Sequence, residues 1–462
     1  MTKTDVIPRK DGRINFSRML LLIVFAGLLL LTLTRSFLLL TDIVPQTSGS
    51  TIRQIGYAIL IVIAAGAAWA DKRFARMVVA PLPVLIALLW CWFSAAWSPT
   101  PGVTIQRLVV TSAVIWLAFL CTDRIGTRRA VLVAQTALLA ALIVNYAGIL
   151  FDPVHSIHDY PSPWSKGQWR GYMGHKNIAG TMAALTALLF VFHGSASTRL
   201  LRYAVAIAAA IFVGFTQSRT SMLALGGALA VGILVLRLAG PIARTANEPG
   251  RTRFGRIGFG IAALVVFLLL FLTIDGELLL DATRNPETWS GRAQIWQPMI
   301  VAYLERPFFG TGYAAFWTQT TGAAAMAQDA SRLGGVTQGH NGYLDLATQV
   351  GLPGLLLALA AMAAWPVAMA ARVVRADAAI CALSMALLFF YLADNLTETS
   401  LFDGDQIPHV FAVMALALLA ATVRRRAPSN AAPETTPAPD RTHRRRRRRS
   451  TSGGARPVTD PV

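Results

Sequence analysis

The chain has 462 residues, of which 55% are hydrophobic and only 14% are charged. A soluble protein of this length needs far more charge to cover its surface, so the composition indicates a membrane protein. The net charge of +19 could suggest nucleic acid, but much of it lies in the C-terminal tail and in short loops, as in cytoplasmic membrane loops.

The apolar residues form runs of about 17 to 23 residues, the length needed to cross a hydrocarbon core of roughly 30 Å. The runs predict transmembrane helices at residues 19–40, 54–70, 77–97, 105–122, 130–151, 176–193, 201–216, 220–239, 257–274, 350–371, 378–397 and 407–423. The first run is too long for a signal peptide and lacks a small-residue cleavage site, so we interpret it as a membrane anchor. The three cysteines lie in or beside these runs and predict neither a disulfide framework nor a metal site.

Lys and Arg in the short loops predict the orientation, because such residues concentrate on the cytoplasmic side. Every predicted inward loop is basic, as at Arg73, Arg128 and Arg372, so both ends of the chain are predicted to be cytoplasmic. We therefore predict an all-α polytopic membrane protein with about 12 transmembrane helices and one long, partly helical periplasmic loop. The predicted parts are a cytoplasmic N-terminus (1–18), helices 1–9 (19–274), the periplasmic loop (275–349), helices 10–12 (350–423) and a cytoplasmic tail (424–462).

The long loop contains an amphipathic stretch between Ser290 and Leu304, in which Ile295 and Met299 recur at helical spacing. Its many aromatic residues predict an ordered cap on the membrane domain rather than a linker. The tail is rich in Pro, Ser, Thr and Arg and is predicted to be disordered. A basic tail on the cytoplasmic face would be attracted to anionic lipids, which we favour over nucleic-acid binding.

Four basic residues break the orientation rule by lying at predicted outer helix ends, namely Arg35, Arg107, Lys176 and Arg219. Arginine at a membrane boundary is costly and is usually paired or functional. The simpler alternative is that the side chain extends to outer-leaflet phosphates, and we favour it for Arg35 and Arg107. For Arg219, which lies in the polar turn 217–221, we favour a function.

A cluster of such cations suits a lipid-linked phosphate or pyrophosphate, because the planar guanidinium can donate two parallel hydrogen bonds to it. Arg292 is a second candidate, at the start of the amphipathic stretch, where backbone N–H groups also favour an anion. The alternative is a solvated loop arginine.

His340 lies near the end of the long loop, where a helix is predicted to begin. The positive end of the helix dipole disfavours a protonated imidazole there, which suits a general base acting on a sugar hydroxyl. The alternative is a structural histidine that caps the helix together with Asn341. His175 is a weaker candidate, since its neighbours Gly174 and Asn177 suit a structural turn. We find no metal-ligand spacing and no nucleotide-binding loop, and we predict no cofactor.

Five short segments resemble the O-antigen ligase and polymerase superfamily, in the order found there and over roughly residues 170 to 360. They are Gly-His-Lys-Asn-Ile-Ala-Gly at 174–180, Gln-Ser-Arg-Thr at 217–220, Gly-Arg-Ala-Gln-Ile-Trp at 291–296, Pro-Phe-Phe-Gly-Thr-Gly-Tyr at 307–313 and His-Asn-Gly-Tyr-Leu at 340–344. Each is weak alone, but the five in order around one long loop are fairly specific. The Lys176 position looks more like the exopolysaccharide-polymerase branch than the ligase branch.

This resemblance implies metal-independent glycan transfer from a polyprenyl-pyrophosphate carrier at the periplasmic face of a bacterial inner membrane. It implies that Arg219, Arg292 and His340 are the essential residues, and Lys176 is a further candidate for pyrophosphate binding. The acceptor is either a growing glycan, for a polymerase, or lipid A-core, for a ligase. A transporter or flippase, and a structural scaffold for polysaccharide export, are the competing classes. Sparse charges within the spans and the lack of matching interrupted helices count against a transporter.

Overall fold

The computed structural model describes residues 16–37, 51–70, 77–158, 166–194, 198–244, 292–318, 324–326 and 338–426. In these ranges the ordered elements are helices, and β-pairing is limited to two isolated bridges. The prediction of an all-α protein is therefore confirmed. The main helices are α1 (Phe16–Thr34), α2 (Thr51–Ala70), α3 (Leu82–Phe93), α4 (Pro101–Ile125), α5 (Thr127–Phe151), α6 (Pro153–Ser156), α7 (Lys176–Phe192), α8 (Arg199–Thr216), α9 (Arg219–Arg244), α10 (Arg292–Glu305), α11 (Gly342–Leu359), α12 (Trp365–Val373), α13 (Ala378–Asp394) and α14 (Ile407–Arg426).

In the described ranges, eight helical segments are long and apolar enough to cross a membrane, and three more apolar helices are shorter. These eleven segments (8 + 3) correspond to eleven of the predicted runs. The predicted run at 257–274 lies outside the described residues, so the count of twelve stays a prediction. The chain is a polytopic membrane protein of packed helices.

Helices α7, α13 and α14 form the buried centre of the bundle. In α14 almost every residue from Ile407 to Ala421 is buried, and α7 and α13 are buried along most of their length. Helix α13 packs against α9 and α7, α7 packs against α8, and α1 packs against α2, α4 and α5. The burial explains why α7 and α13 are apolar on all sides, without a polar face.

The loop helix predicted between Ser290 and Leu304 is present as α10. Its buried residues Ile295, Met299 and Ala302 form a small core with Phe316 and Ala324, and the helix packs on α11. This part of the predicted loop is therefore an ordered cap. The chain turns after α10, at residues 306–312, and backbone hydrogen bonds from this turn fix the position of α11.

Gly310 and Gly351 are in close contact at a kink within α11. Both have positive φ, at 66° and 70°, and Gly351 interrupts the helical backbone of α11. The amide of Leu352 donates to the Pro307 carbonyl at 2.7 Å, and the amide of Thr311 donates to the Thr348 carbonyl at 2.9 Å. The predicted span at 350–371 begins at this kink, whereas the helix itself begins eight or nine residues earlier, at Gly342.

Replacing Gly351 with alanine should destabilise the fold and loosen the cap. An added Cβ atom would lie 2.2 Å from the Phe308 carbonyl oxygen, and the backbone angles (φ 70°, ψ 177°) are accessible essentially only to glycine. We expect a loss of about 1–3 kcal/mol in unfolding free energy, measured by thermal unfolding in detergent. Gly66→Ala is the matched control, because Gly66 is helical with open space around its Cβ position. Equal melting of both variants would contradict the role of the kink.

Candidate functional site

Glu398 is the point at which the candidate site residues meet. It lies in residues 395–400, the turn after α13, which we call the Glu398 turn. Its Oε1 atom accepts hydrogen bonds from Arg292 Nη2 at 3.1 Å and from Asn177 Nδ2 at 2.6 Å. Its Oε2 atom lies 3.4 Å from His340 Nδ1. The beginnings of α7, α10 and α11 therefore converge on one carboxylate.

Burial alone would raise the pKa of the Glu398 carboxyl, because the side chain is only 16% exposed. The hydrogen bond and charge of His340, together with the charge of Arg292, outweigh this, and the pKa lies below its ordinary value. Glu398 is thus a stable anion among cations. Nothing in the sequence around Glu398 marks it as a site residue.

His340 is held in place by its neighbours in the chain. Its φ of 47° is rare for a residue with a side chain. On one side, the Gly339 amide donates to buried Asp345 at 2.9 Å, and the Gly339 carbonyl accepts from Trp296 Nε1 at 2.8 Å. On the other side, the Asn341 side chain caps α11 by accepting hydrogen bonds from the amides of the second and third residues of that helix, at 3.1 Å each.

These contacts show which residue caps α11. The helix cap is Asn341, and the imidazole of His340 is turned to Glu398 instead. The ring is 27% exposed, so an acceptor group can reach its other nitrogen, Nε2.

Lys176 and His175 lie at the start of α7. His175 Nδ1 accepts from the Asn177 amide at 3.2 Å and so caps the helix, as the structural alternative for this residue predicted. Lys176 is half-buried, and the charged groups acting on it include Arg219, Arg292 and Glu398. Lys176 therefore belongs to the same cluster of charges.

Arg219 is the first residue of α9 and is exposed. The turn before it is fixed by Gln217, which has a φ of 50°, and by a 3.0 Å hydrogen bond between the hydroxyls of Ser218 and Ser221. The Thr220 hydroxyl bonds to the Thr397 hydroxyl and ties α9 to the Glu398 turn. Among the residues that the structure describes, Arg219 has no ion-pair partner.

The assembled site is a surface with a cluster of cations. Three cationic side chains, Lys176, Arg219 and Arg292, begin three different helices, and only one of them is paired with Glu398. Helix N-termini add unpaired N–H groups and the positive end of the dipole. In the described part of the chain, no group of three or more His, Cys, Asp or Glu residues could hold a metal ion.

A second charged cluster lies next to this surface. The backbone connects the two: the amide of Gly174, just before α7, donates a hydrogen bond to the carbonyl of Ser36, just after α1, at 2.8 Å. Arg35 and Arg53 both pair with Asp405, and Arg107 lies 3.9 Å from Asp403. Tyr57 also donates to Asp405, at 3.0 Å.

This cluster corrects the interpretation of Arg35 and Arg107. We expected both side chains to extend to outer-leaflet phosphates, but they turn inward to the carboxylates that follow the Glu398 turn. Pairing is favoured because a buried guanidinium without a partner is costly. The ion pairs attach α1, α2 and α4 to the segment that carries Glu398.

Asp405→Asn should therefore weaken the fold more than a typical surface change. It leaves Arg35 and Arg53 near one another without their shared carboxylate, and Arg53 is only 9% exposed. Breaking a buried ion pair costs about 3–5 kcal/mol, which we expect as a lower thermal midpoint in detergent. Asp403→Asn is the control, because its more exposed pair with Arg107 is longer, and it should change the midpoint much less. If Asp403→Asn lowered the thermal midpoint more than Asp405→Asn, Asp405 would not be the carboxylate that stabilises this cluster.

Residues 203–359 match the family model described as O-antigen ligase. The matched residues include Arg219, Arg292 and His340, whereas Lys176 and Glu398 lie on either side of them. The match confirms the resemblance found in the sequence and, with the apolar helices, indicates an integral membrane protein with glycosyl transfer of the ligase and polymerase type as its general activity. No curated protein matches the chain at a significant level.

Proposed function

We propose that this member of the O-antigen ligase and polymerase superfamily transfers a glycan from a polyprenyl-pyrophosphate carrier to an acceptor hydroxyl at the periplasmic face of a bacterial inner membrane. The observation that carries the proposal is that His340 and three cationic side chains gather around the Glu398 turn. The diphosphate of a glycosyl diphosphate would bind to the cations. The anomeric carbon next to it would then be open to an acceptor hydroxyl that His340 deprotonates.

In the proposed reaction the acceptor oxygen forms a bond to the anomeric carbon as the bond from that carbon to the phosphate oxygen breaks. The hydroxyl proton passes to His340 Nε2, and the polyprenyl pyrophosphate leaves with the bonding electron pair. Arg219, Arg292 and Lys176 stabilise the negative charge that builds on the leaving group. A direct displacement of this kind inverts the anomeric configuration.

We favour polymerisation of exopolysaccharide or O-antigen repeats, in which the acceptor is a glycan. Lys176 supports this choice, since the 174–180 segment resembles the polymerase branch. The structure adds that Asn177 of the same segment bonds Glu398, so the segment is part of the site surface. Transfer to lipid A-core is the second candidate.

The test is incubation of the purified protein with a defined polyprenyl-pyrophosphate oligosaccharide. A polymerase lengthens the glycan on the carrier with inversion at the new linkage, whereas a ligase forms product only when lipid A-core is added. If neither product forms and labelled donor instead crosses the membrane of proteoliposomes, the protein is a flippase. Retained anomeric configuration would overturn the direct displacement.

A further inference from the structure

Glu398 is shared between a residue of the proposed anion site and the proposed base. Its Oε1 atom holds Arg292 and Asn177, and its Oε2 atom faces His340 Nδ1 at 3.4 Å. The carboxylate is largely buried, so water screens these contacts poorly. A change in the partner of one oxygen therefore affects the other.

The contact with His340 fixes which ring nitrogen can act as a base. A carboxylate only accepts hydrogen bonds, so the proton of a neutral imidazole is held on Nδ1, and Nε2 is left as the acceptor. A carboxylate in this position orients the ring and stabilises the imidazolium that forms, without taking the proton itself. The distance of 3.4 Å is long, as is common before substrate is bound.

Glu398 and the donor diphosphate compete for the guanidinium of Arg292. One of its terminal nitrogens is engaged by Glu398, whereas a phosphate is best held by two parallel N–H groups of the guanidinium fork. A diphosphate brings more negative charge than one carboxylate and also meets Lys176 and Arg219. It is thus the stronger partner for Arg292.

We propose that Glu398 is a positioning residue for His340 and that the donor diphosphate, by drawing Arg292 from Glu398, strengthens the pairing of Glu398 with His340. This inference rests on the proposed function. It couples the two halves of the site, because the base reaches its full strength only when a donor is present to react.

The variant Glu398→Gln tests whether Glu398 positions His340. The glutamine can accept from Arg292 through its oxygen, but its amide then donates to His340 Nδ1 and places the ring proton on Nε2, where it blocks the base. We expect kcat to fall about 10²- to 10⁴-fold, and by no more than in His340→Ala, because Glu398 acts through His340. Donor affinity, measured with radiolabelled donor, should be unchanged or tighter because a negative charge has been removed from the anion site.

The controls separate positioning from folding. Glu398→Asp keeps the charge and should restore part of kcat, and Glu305→Gln, at the exposed end of α10, should behave as wild type. All variants are compared by thermal unfolding. If Glu398→Gln keeps kcat within about threefold of wild type, or if donor affinity falls in parallel with kcat, Glu398 is not a positioning residue. If the wild type forms no product, the proposed function itself has failed.

The effect of a bound diphosphate on the pairing of Glu398 with His340 is tested by ¹⁵N-histidine NMR. The experiment follows the protonation of His340, with farnesyl diphosphate as the probe. The charged or titratable groups around Glu398 are Arg292 from α10, His175 and Lys176 from α7, Asp394 from α13 and His340 itself. In wild type the probe should move the titration of His340 to higher pH. The shift should be clearly smaller in Glu398→Gln, where only the probe's own charge acts. Equal shifts in both proteins would contradict the coupling.

Discussion

Replacing His340 with alanine should lower glycan transfer by about 10²- to 10⁴-fold, the usual contribution of a positioned general base. The imidazole is partly exposed and turned to Glu398, and the variant removes the only atom to which we assign the acceptor proton. Donor binding should be retained, because the cations that would hold the diphosphate remain. The measurement is initial rate against donor concentration, together with binding of labelled donor.

His155→Ala is the matched control for this variant. His155 also lies beside a carboxylate, with Nδ1 2.8 Å from Asp152 Oδ1, but its side chain is 72% exposed and outside the Glu398 contacts. It should transfer glycan at the wild-type rate. If His340→Ala is as active as His155→Ala, His340 is not the base and the proposed proton path is wrong.

Arg219→Ala should lower kcat/KM by about 10²- to 10³-fold, the loss seen when a group that stabilises transition-state charge is removed. Arg219 is exposed and has no ion-pair partner in the described part of the chain, so its loss should leave stability nearly unchanged. Arg219→Lys should recover only part of the activity, because a point charge replaces the two parallel N–H groups of the guanidinium. The measurements are transfer rate and thermal midpoint.

Arg306→Ala provides the comparison, since Arg306 is an exposed arginine just after α10. Both arginines could contact outer-leaflet phosphates, but only Arg219 belongs to the charges around Lys176. Wild-type transfer by Arg219→Ala would mean that the side chain only contacts lipid, the alternative that the sequence also allowed. A similar loss in both variants would indicate a general effect of surface charge.

The helices were largely predictable, because spans and their ends depend on local sequence. The predicted runs at 176–193 and 201–216 differ by only one or two residues from α7 and α8. The loop helix predicted from Ser290 agrees with α10 within two residues. The kink at Gly351 was not predicted, because it depends on the close approach of the Phe308 carbonyl, a contact between separate segments.

The candidate site was predictable only in part. Arg219, Lys176 and Arg292 stood out as costly or well-placed cations, but nothing local marks Glu398 as their partner. One usable signal is present in the sequence, because arginines at a membrane boundary require counter-charges, and Glu398, Asp403 and Asp405 are the acids of one short loop at residues 398–405. The same acids are the natural partners of Arg35 and Arg107.

The Glu398 turn also bears on how the protein is made. Membrane helices are inserted in order as the chain is synthesised, and Arg35, Asn177 and Arg292 emerge long before Glu398 and Asp405. Until α13 and the turn behind it have been inserted, the earlier helices lack the carboxylates that join their outer ends. A partly synthesised chain thus holds the cations of the site without its completed base. Under the proposed function, such a chain should be unable to transfer glycan before the Glu398 turn is in place.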